Sequence, residues 1–326
     1  MQNRRKFLGQ MILGSAALSL GSAQAKNIFT PSVQADLNIG LCELSLASSI
    51  VHGRLRHLDF PAKAKREWGI TEVEYGSVFF RDKVEDQVYL KEMAQRAADV
   101  GVKGICINVE DEGELGSPDK TQREHAVQNH LGWISAARIL GCRSISVYID
   151  GSGTPEEVTS ASVESLKLLL AETKKSGILL LVENHTGHSA RGSWLSGIAQ
   201  QINDPSFGLV IDPGNFCILK TIPASQSPAD LMKVKCLEGY DRYQGMRELL
   251  PWAKGFHAKT RKFDGEGKDI ETDYSRIKEI ITAAGYQGTI SIEYEGGLYL
   301  PADQCSFYTD DRGISITKDL LLQLFR

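Results

Sequence analysis

Residues 178–215, ILLLVENHTGHSARGSWLSGIAQQINDPSFGLVIDPGN, hold one full repeat of the pattern that decides the fold. An apolar run from Leu179 to Val182 leads into Glu183-Asn184-His185, and after an intervening stretch Phe207 to Ile211 leads into Asp212-Pro213-Gly214-Asn215. Apolar runs of this length read as buried strands, and the stretch between them has room for a helix. The same phrase begins near Leu37, Ile70, Lys103, Cys142, Ile178, Ser206, Ala253 and Thr289; from 37 to 289 is 252 residues over seven intervals, or 36 each. Amphipathic helices are expected over Val84 to Val100, Thr121 to Leu140, Pro155 to Lys175 and Tyr274 to Ala284. Within Thr121 to Leu140, Ala126, Val127, Leu131, Ile134 and Ile139 recur at helical spacing. Gly101, Gly141, Gly177 and Gly285 stand where C-terminal helix caps belong. Eight strand–helix units predict an α/β fold, a (β/α)8 TIM barrel. A doubly wound sheet would carry a glycine-rich phosphate loop after its first strand, and GLCELSLASS is not one.

The chain has 326 residues, 42% hydrophobic and 24% charged, too apolar for disorder. Lys+Arg is 37 and Asp+Glu is 41; the first 25 residues contain Arg4, Arg5 and Lys6 and no acid, so without them 34 bases face 41 acids, a net −7. Such acidity disfavours a nucleic-acid partner. Asn3-Arg4-Arg5-Lys6-Phe7-Leu8 resembles a twin-arginine export signal, followed by a weak apolar stretch and Ala23-Gln24-Ala25 in the small-x-small form of a cleavage site. The division expected is an export signal over 1–25, a linker over 26–36 and a single catalytic barrel over 37–326. It implies a periplasmic protein that meets the twin-arginine translocation machinery during export and keeps no stable membrane anchor. Because that route carries folded proteins, the six cysteines are expected to be mostly free and buried, as for Cys42, Cys106 and Cys142 in or beside apolar runs. The long gap from Phe216 to Trp252 reads as an enlarged loop with helical content, a candidate lid or a contact with a second copy in a homo-oligomer.

Chemistry in such a barrel belongs at the C-terminal strand ends. Four successive strands end on Glu183, Asp212, His257 and the Glu293/Glu295 pair, of which sequence alone does not choose one. A lone buried carboxylate is costly without a partner, and three close carboxylates raise one another's pKa values unless a cation joins them. Three carboxylates and an imidazole suit a divalent ion, Mn²⁺ first, with Co²⁺, Mg²⁺ or Zn²⁺ as alternatives. Lys259 shares the strand face of His257. Other candidates for substrate contact are His185 and His188 in the loop after strand five, Glu74, Glu110 and Tyr148 near the ends of strands two to four, and Trp194, Phe216 and Trp252 as stacking rings.

The segments HLDFPAKAKREWGITEVEY, LLLVENHTGHS, GLVIDPGNF, GFHAKT and AAGYQGTISIEYEG resemble the xylose isomerase-like TIM-barrel proteins over roughly Leu37 to Arg326. That group contains sugar isomerases, sugar 3-epimerases, inosose dehydratases and AP endonucleases. The resemblance implies that Glu183, Asp212, His257 and Glu293 bind the metal, choosing Glu293 over Glu295. It also implies that Glu183 and Glu293 are the proton-transferring pair. Lys259, by its place on the strand face of His257, is read as hydrogen-bonding substrate oxygens, a third catalytic group. Many of the epimerases carry a His where this chain has Asn215, which makes Asn215 a candidate substrate contact but neither an acid nor a base.

The reaction these expectations favour is isomerisation or epimerisation of a free sugar or keto-sugar, by proton abstraction beside a carbonyl through an enediolate. With a leaving group on the next carbon the same step becomes β-elimination, so a lyase or hydrolase on 3-keto-glycosides is the rival. An AP endonuclease fits less well, since its multinuclear zinc site consumes histidines and its substrate is a polyanion. A non-catalytic sugar-binding barrel is the alternative of another class. The absence of an arginine cluster is read as evidence against phosphorylated substrates.

Overall fold

The computed structural model of the chain describes residues 37–225, 227–231, 233–298, 300 and 308–325; the proposed export signal and the 26–36 linker lie outside them. Numbered along the chain, the strands are β1 (Ile39–Cys42), β2 (Glu72–Gly76), β3 (Lys103–Val109), β4 (Ser144–Val147), β5 (Leu179–Glu183), β6 (Phe207–Ile211), β7 (Cys217–Lys220), β8 (Cys236–Gly239), β9 (Ala253–Thr260) and β10 (Ile290–Tyr294). All but β7 and β8 close into one parallel barrel in the order β1-β10-β9-β6-β5-β4-β3-β2. Each barrel strand begins within two residues of the position its apolar run marks in the sequence.

The helices are α1 (Ala47–Val51), α2 (Phe60–Trp68), α3 (Gln87–Asp99), α4 (Lys120–Leu140), α5 (Pro155–Lys175), α6 (Gly192–Ile202), α7 (Pro228–Leu231), α8 (Arg242–Leu249), α9 (Tyr274–Ala283) and α10 (Asp310–Phe325). Their ends follow local chemistry. Thr154 and Glu157 form a reciprocal capping box at the start of α5, and Gly141 closes α4 at φ 73°, a conformation glycine adopts without a Cβ penalty. Helix α3 starts at Gln87 rather than Val84, because the Asp86 side chain accepts the Tyr89 amide and caps it there. No helix among the described residues is long and apolar enough to cross a membrane.

Strand alternation sorts the side chains into two layers. Leu180, Val182, Leu209, Ile211, Phe256, Ala258, Ile290 and Ile292 are fully buried in the apolar core. The intervening Glu183, His257, Ser291 and Glu293 point into the barrel, where Glu74 on β2 meets His257 on β9, a contact two non-neighbouring strands can make only across the interior. Between Phe216 and Trp252 the expected helical content is present as α7 and α8, and the structure adds what was not expected, an antiparallel hairpin of β7 and β8. Cys217 and Cys236 are disulfide-bonded across the hairpin, whereas Cys42, Cys106 and Cys142 are free and buried as expected. The hairpin escaped notice because its strands have four residues each and β8 is exposed throughout, so neither shows a buried alternation.

Strand β3 passes so close to β2 that Gly104 has no room for a side chain: a Cβ there would lie 2.5 Å from Tyr75 Cε2 and 3.1 Å from Cys142 Sγ. The Tyr75 ring is itself wedged edge-on against Phe60 and Phe80. Gly104→Ala should therefore cost about 1–3 kcal/mol in denaturant unfolding. Gly265→Ala, with nothing within 4 Å of its Cβ, should stay within about 0.5 kcal/mol of wild type. Equal effects of the two changes would contradict the packing described.

Candidate metal centre

The register of the barrel assembles the centre. Glu183 is the last residue of β5 and pairs with Val210, so Asp212 emerges just beyond the end of β6 beside it. On the other side, Ser291 pairs with His257 and Glu293 with Lys259, which stacks two polar levels inside β9 and β10. Glu183, Asp212, His257 and Glu293 are all buried, and one donor atom from each lies within 4.8 Å of the others. These are the four residues expected, and Glu293 rather than Glu295 is the one in the group. Such a buried Glu/Asp/His cluster could hold a metal ion.

Each member is fixed from behind. His257 Nε2 lies 3.0 Å from Glu74 Oε2, leaving Nδ1 to face Glu293 Oε2 at 2.9 Å and Glu183 Oε1 at 3.6 Å. Glu74 also accepts from Asn108 Nδ2 at 3.1 Å and from the Ser291 hydroxyl. Such a carboxylate behind an imidazole sets which ring nitrogen faces a metal. Asp212 is bracketed by Asn184, which accepts the Asp212 amide and donates to its carbonyl, both at 2.8 Å, and the Gly214 amide donates to Asp212 Oδ1 at 2.7 Å. Asn215 donates to Glu183 Oε1 at 3.0 Å and accepts from Lys259 Nζ at 3.2 Å. Lys259 further lies 2.7 Å from Asp212 Oδ2, 3.4 Å from Glu293 Oε1 and 3.1 Å from Glu295 Oε1.

The field in the cluster divides its acids. Burial, only partly offset by His257, pushes the Glu183 carboxyl up to about 7. Burial also raises Asp212 in spite of Lys259. For Glu293 burial is outweighed by Lys259 and His257, which hold it below the usual carboxylate range. Burial works against a charged His257, but Glu183, Glu74 and Glu293 surround it and raise its pKa well above the ordinary value.

The donors fit a cation. Asp212 Oδ2, His257 Nδ1 and Glu293 Oε2 are buried and have no hydrogen-bond partner among the described residues. Their close neighbours are ion-pair contacts, with Lys259 Nζ 2.7 Å from Asp212 Oδ2 and His257 Nδ1 2.9 Å from Glu293 Oε2. Three carboxylates and an imidazole with such atoms turned to one point form a donor set that suits a divalent ion. Donors adjacent on a small divalent ion with bonds of about 2.1 Å lie about 3 Å apart, close to the spacing of Nδ1 and Oε2 here.

The remaining candidates divide. His185 lines the cavity that adjoins the cluster, stacked on Tyr148 with ring centroids 4.3 Å apart, and burial lowers its pKa to about 4. Asn215 and Lys259 line the same cavity. Glu110 sits beyond β3 with a buried, unpartnered Oε1, and burial with Glu293 and Glu183 nearby pushes it up to about 8. Glu74 differs from expectation: its oxygens are committed to His257, Asn108 and Ser291 inside the barrel, which leaves none for a substrate. His188 is not brought to the cluster and instead tilts against Trp194 and reaches the Gly153 carbonyl at 3.4 Å. Phe216 lines the cavity, whereas Trp194 donates to Thr159 at 2.8 Å and serves packing. Sequence reasoning missed Asn184 and Asn108, whose roles depend on partners distant in the chain. It also missed Glu43, a carboxylate following β1 as Glu183 ends β5, which accepts the Gly76 amide at 3.1 Å and faces His57 at 3.3 Å.

The sequence pattern of the xylose isomerase-like TIM barrel family matches residues 62–307. No curated protein sequence matches the chain. Among solved structures, the chain is similar to the D-psicose 3-epimerase of Clostridium cellulolyticum H10, at TM-score 0.65 and 13% identity over 89% of this chain and 100% of that one. It is also similar to the 3-keto-D-glucoside 4-epimerase of E. coli, at TM-score 0.60 and 13% identity over 87% and 99%. A third neighbour is the IOLI protein with a binding zinc atom, at TM-score 0.57 and 14% identity over 89% and 98%. At these identities the likeness shows the fold alone.

Metal titration checks the centre. Mn²⁺ at about 100 times its Kd should stabilise the protein by about 2.7 kcal/mol in thermal unfolding. Asp212→Asn should remove most of that gain. Because the ion-free cluster raises the His257 pKa, metal must displace a proton from Nδ1, so calorimetric affinity should fall as pH drops from about 8 to about 6. Unchanged unfolding with Mn²⁺, Co²⁺, Mg²⁺ and Zn²⁺ would overturn the assignment.

Proposed function

Since the chain belongs to the xylose isomerase-like TIM barrel family, we propose that it is a divalent-metal-dependent isomerase or epimerase of a sugar or keto-sugar. The observation that carries this reading is the placement of Glu183 and Glu293. They stand on β5 and β10, separated in the barrel wall by β6 and β9, so two carboxylates reach one point from different sides. The sugar epimerases among the structural neighbours support the same substrate class.

Glu183, Asp212, His257 and Glu293 would hold the ion, Mn²⁺ by preference. A bound divalent ion supplies the positive charge that polarises a carbonyl and stabilises charge developing on its oxygen. Of the Glu183 and Glu293 pair, one carboxylate takes the proton from the carbon beside the carbonyl as the C–H electrons move into the carbonyl, and the other returns a proton to the opposite face. Asn215 donates to Glu183 and so orients it, while Lys259 presents its ammonium to substrate oxygens. The adjoining cavity, about 1060 Å³, is large for a bare monosaccharide and favours a substituted sugar. A 3-keto-glycoside is therefore the second reading, with elimination of its aglycone when the electron pair expels the neighbouring oxygen substituent. Export to the periplasm belongs to the same proposal, and the Cys217–Cys236 disulfide supports it because such bonds persist in oxidising compartments.

Mass spectrometry of ketoses and 3-keto-glucosides in D₂O with the Mn²⁺-loaded protein tests the reaction. Deuterium should enter at the carbon beside the carbonyl, and Glu183→Gln or Glu293→Gln should slow its entry by about 10²–10⁴-fold. Aglycone release would identify elimination instead. Undiminished exchange in both variants would refute the carboxylate pair.

A further inference from the structure

The cavity next to the cluster is positively lined, although the chain as a whole is acidic. Its wall carries Lys220 at the end of β7, Arg242 at the first turn of α8, and Lys259, Arg261 and Lys262 on and after β9, against the acids Glu271 and Glu295. Most of these charges are matched. Glu295 accepts from Arg261 at 2.6 and 3.1 Å and lies 3.1 Å from Lys259, which also pairs with Asp212. Glu271 lies 3.9 Å from Arg261 and 3.4 Å from Lys262. Two cations are left over. Lys220 makes no side-chain hydrogen bond or ion pair among the described residues, and Arg242 donates only to the Thr272 hydroxyl.

Resting on the reading of the cluster as a sugar site, we propose that the substrate is an acidic sugar whose carboxylate is bound by Lys220 and Arg242 while its carbonyl end lies at Glu183 and Glu293. A guanidinium and an ammonium that line one cavity can offer donors to both oxygens of a carboxylate. Asn215 and Lys259 line the same cavity and contact Glu183 and Asp212, so the charged wall and the cluster belong to one site. A phosphoryl group is the less suitable anion. Phosphate sites draw on backbone amides and open helix N-termini. Here the Tyr243 and Gln244 amides in the first turn of α8 are taken by Asp241 Oδ1, and the Gly214 amide by Asp212 Oδ1.

The experiment is calorimetric binding of three ketoses that share one carbon frame, D-fructose, D-fructuronate and D-fructose 6-phosphate, to the Mn²⁺-loaded full chain. D-Fructuronate should bind at least about tenfold more tightly than D-fructose, the scale of one charge-assisted contact. That ratio should fall towards one in the Lys220→Gln/Arg242→Gln double variant and in about 1 M salt. It should persist in Lys103→Gln, which removes a charge at the opposite end of the barrel. Equal affinity for the neutral and acidic ketoses, no binding of D-fructuronate, or a ratio retained in the double variant would overturn the proposal. A preference for the phosphorylated ketose would overturn the carboxylate assignment. Deuterium exchange on the same ketoses separates this claim from the one it rests on: charge preference without exchange would sink the isomerase reading alone, and exchange without charge preference would sink the acidic substrate alone.

Discussion

The arrangement on which the rest depends is an imidazole buried among carboxylates. His257 is 1% exposed, with Glu74 behind it and Glu293 and Glu183 in front. An isolated buried charge is costly, and groups in that position neutralise or find partners. The barrel interior is built around that requirement. Where such interiors are usually filled by branched apolar side chains, this one places Glu74, Asn108 and Ser291 beneath the imidazole and Lys259 above it. The arrangement holds only in the observed register. A slip of one residue in β9 would turn Phe256 and Ala258 inward and His257 and Lys259 towards the helices, losing the centre and a strip of core together.

Net charge proved a poor guide to the field a ligand meets. An acidic chain argues against a polyanionic partner, yet three of its acids gather at the cluster and a fourth, Glu74, is spent behind His257. The adjoining cavity wall is cationic. The missing arginine cluster in the sequence was an artefact of chain distance: Lys220, Arg242 and Arg261 come from a hairpin, a helix start and a strand end that only the folded barrel brings together.

What was legible in the sequence had a local physical cause. Apolar runs of β length ending in a carboxylate or histidine marked the barrel strands, and with them Glu183, Asp212 and His257. The choice of Glu293 over Glu295 needed the resemblance, because both occupy the same strand face; in the fold, Glu295 is drawn away by Arg261. Illegible features were those set by distant partners or by too few residues. The hairpin strands have no buried face to betray them. Glu74 looked like a rim residue because nothing in its own strand reveals that His257, 183 residues onward, faces it across the barrel.

Asn215 then ceases to be a mere departure from the epimerase pattern. Its amide presents a donor on one side and an acceptor on the other, with the polarity fixed at every accessible pH. The donor holds the Glu183 carboxylate and the acceptor holds the Lys259 ammonium. A histidine there would bring a third titrating group between an acid and a cation, and its protonated form would have no acceptor for Lys259. Asparagine keeps Lys259 directed at Asp212 and Glu293 and adds no titrating group to the cluster. The substitution therefore fits proton transfer by two carboxylates, and it removes only the imidazole from the set of groups that can give or take a proton.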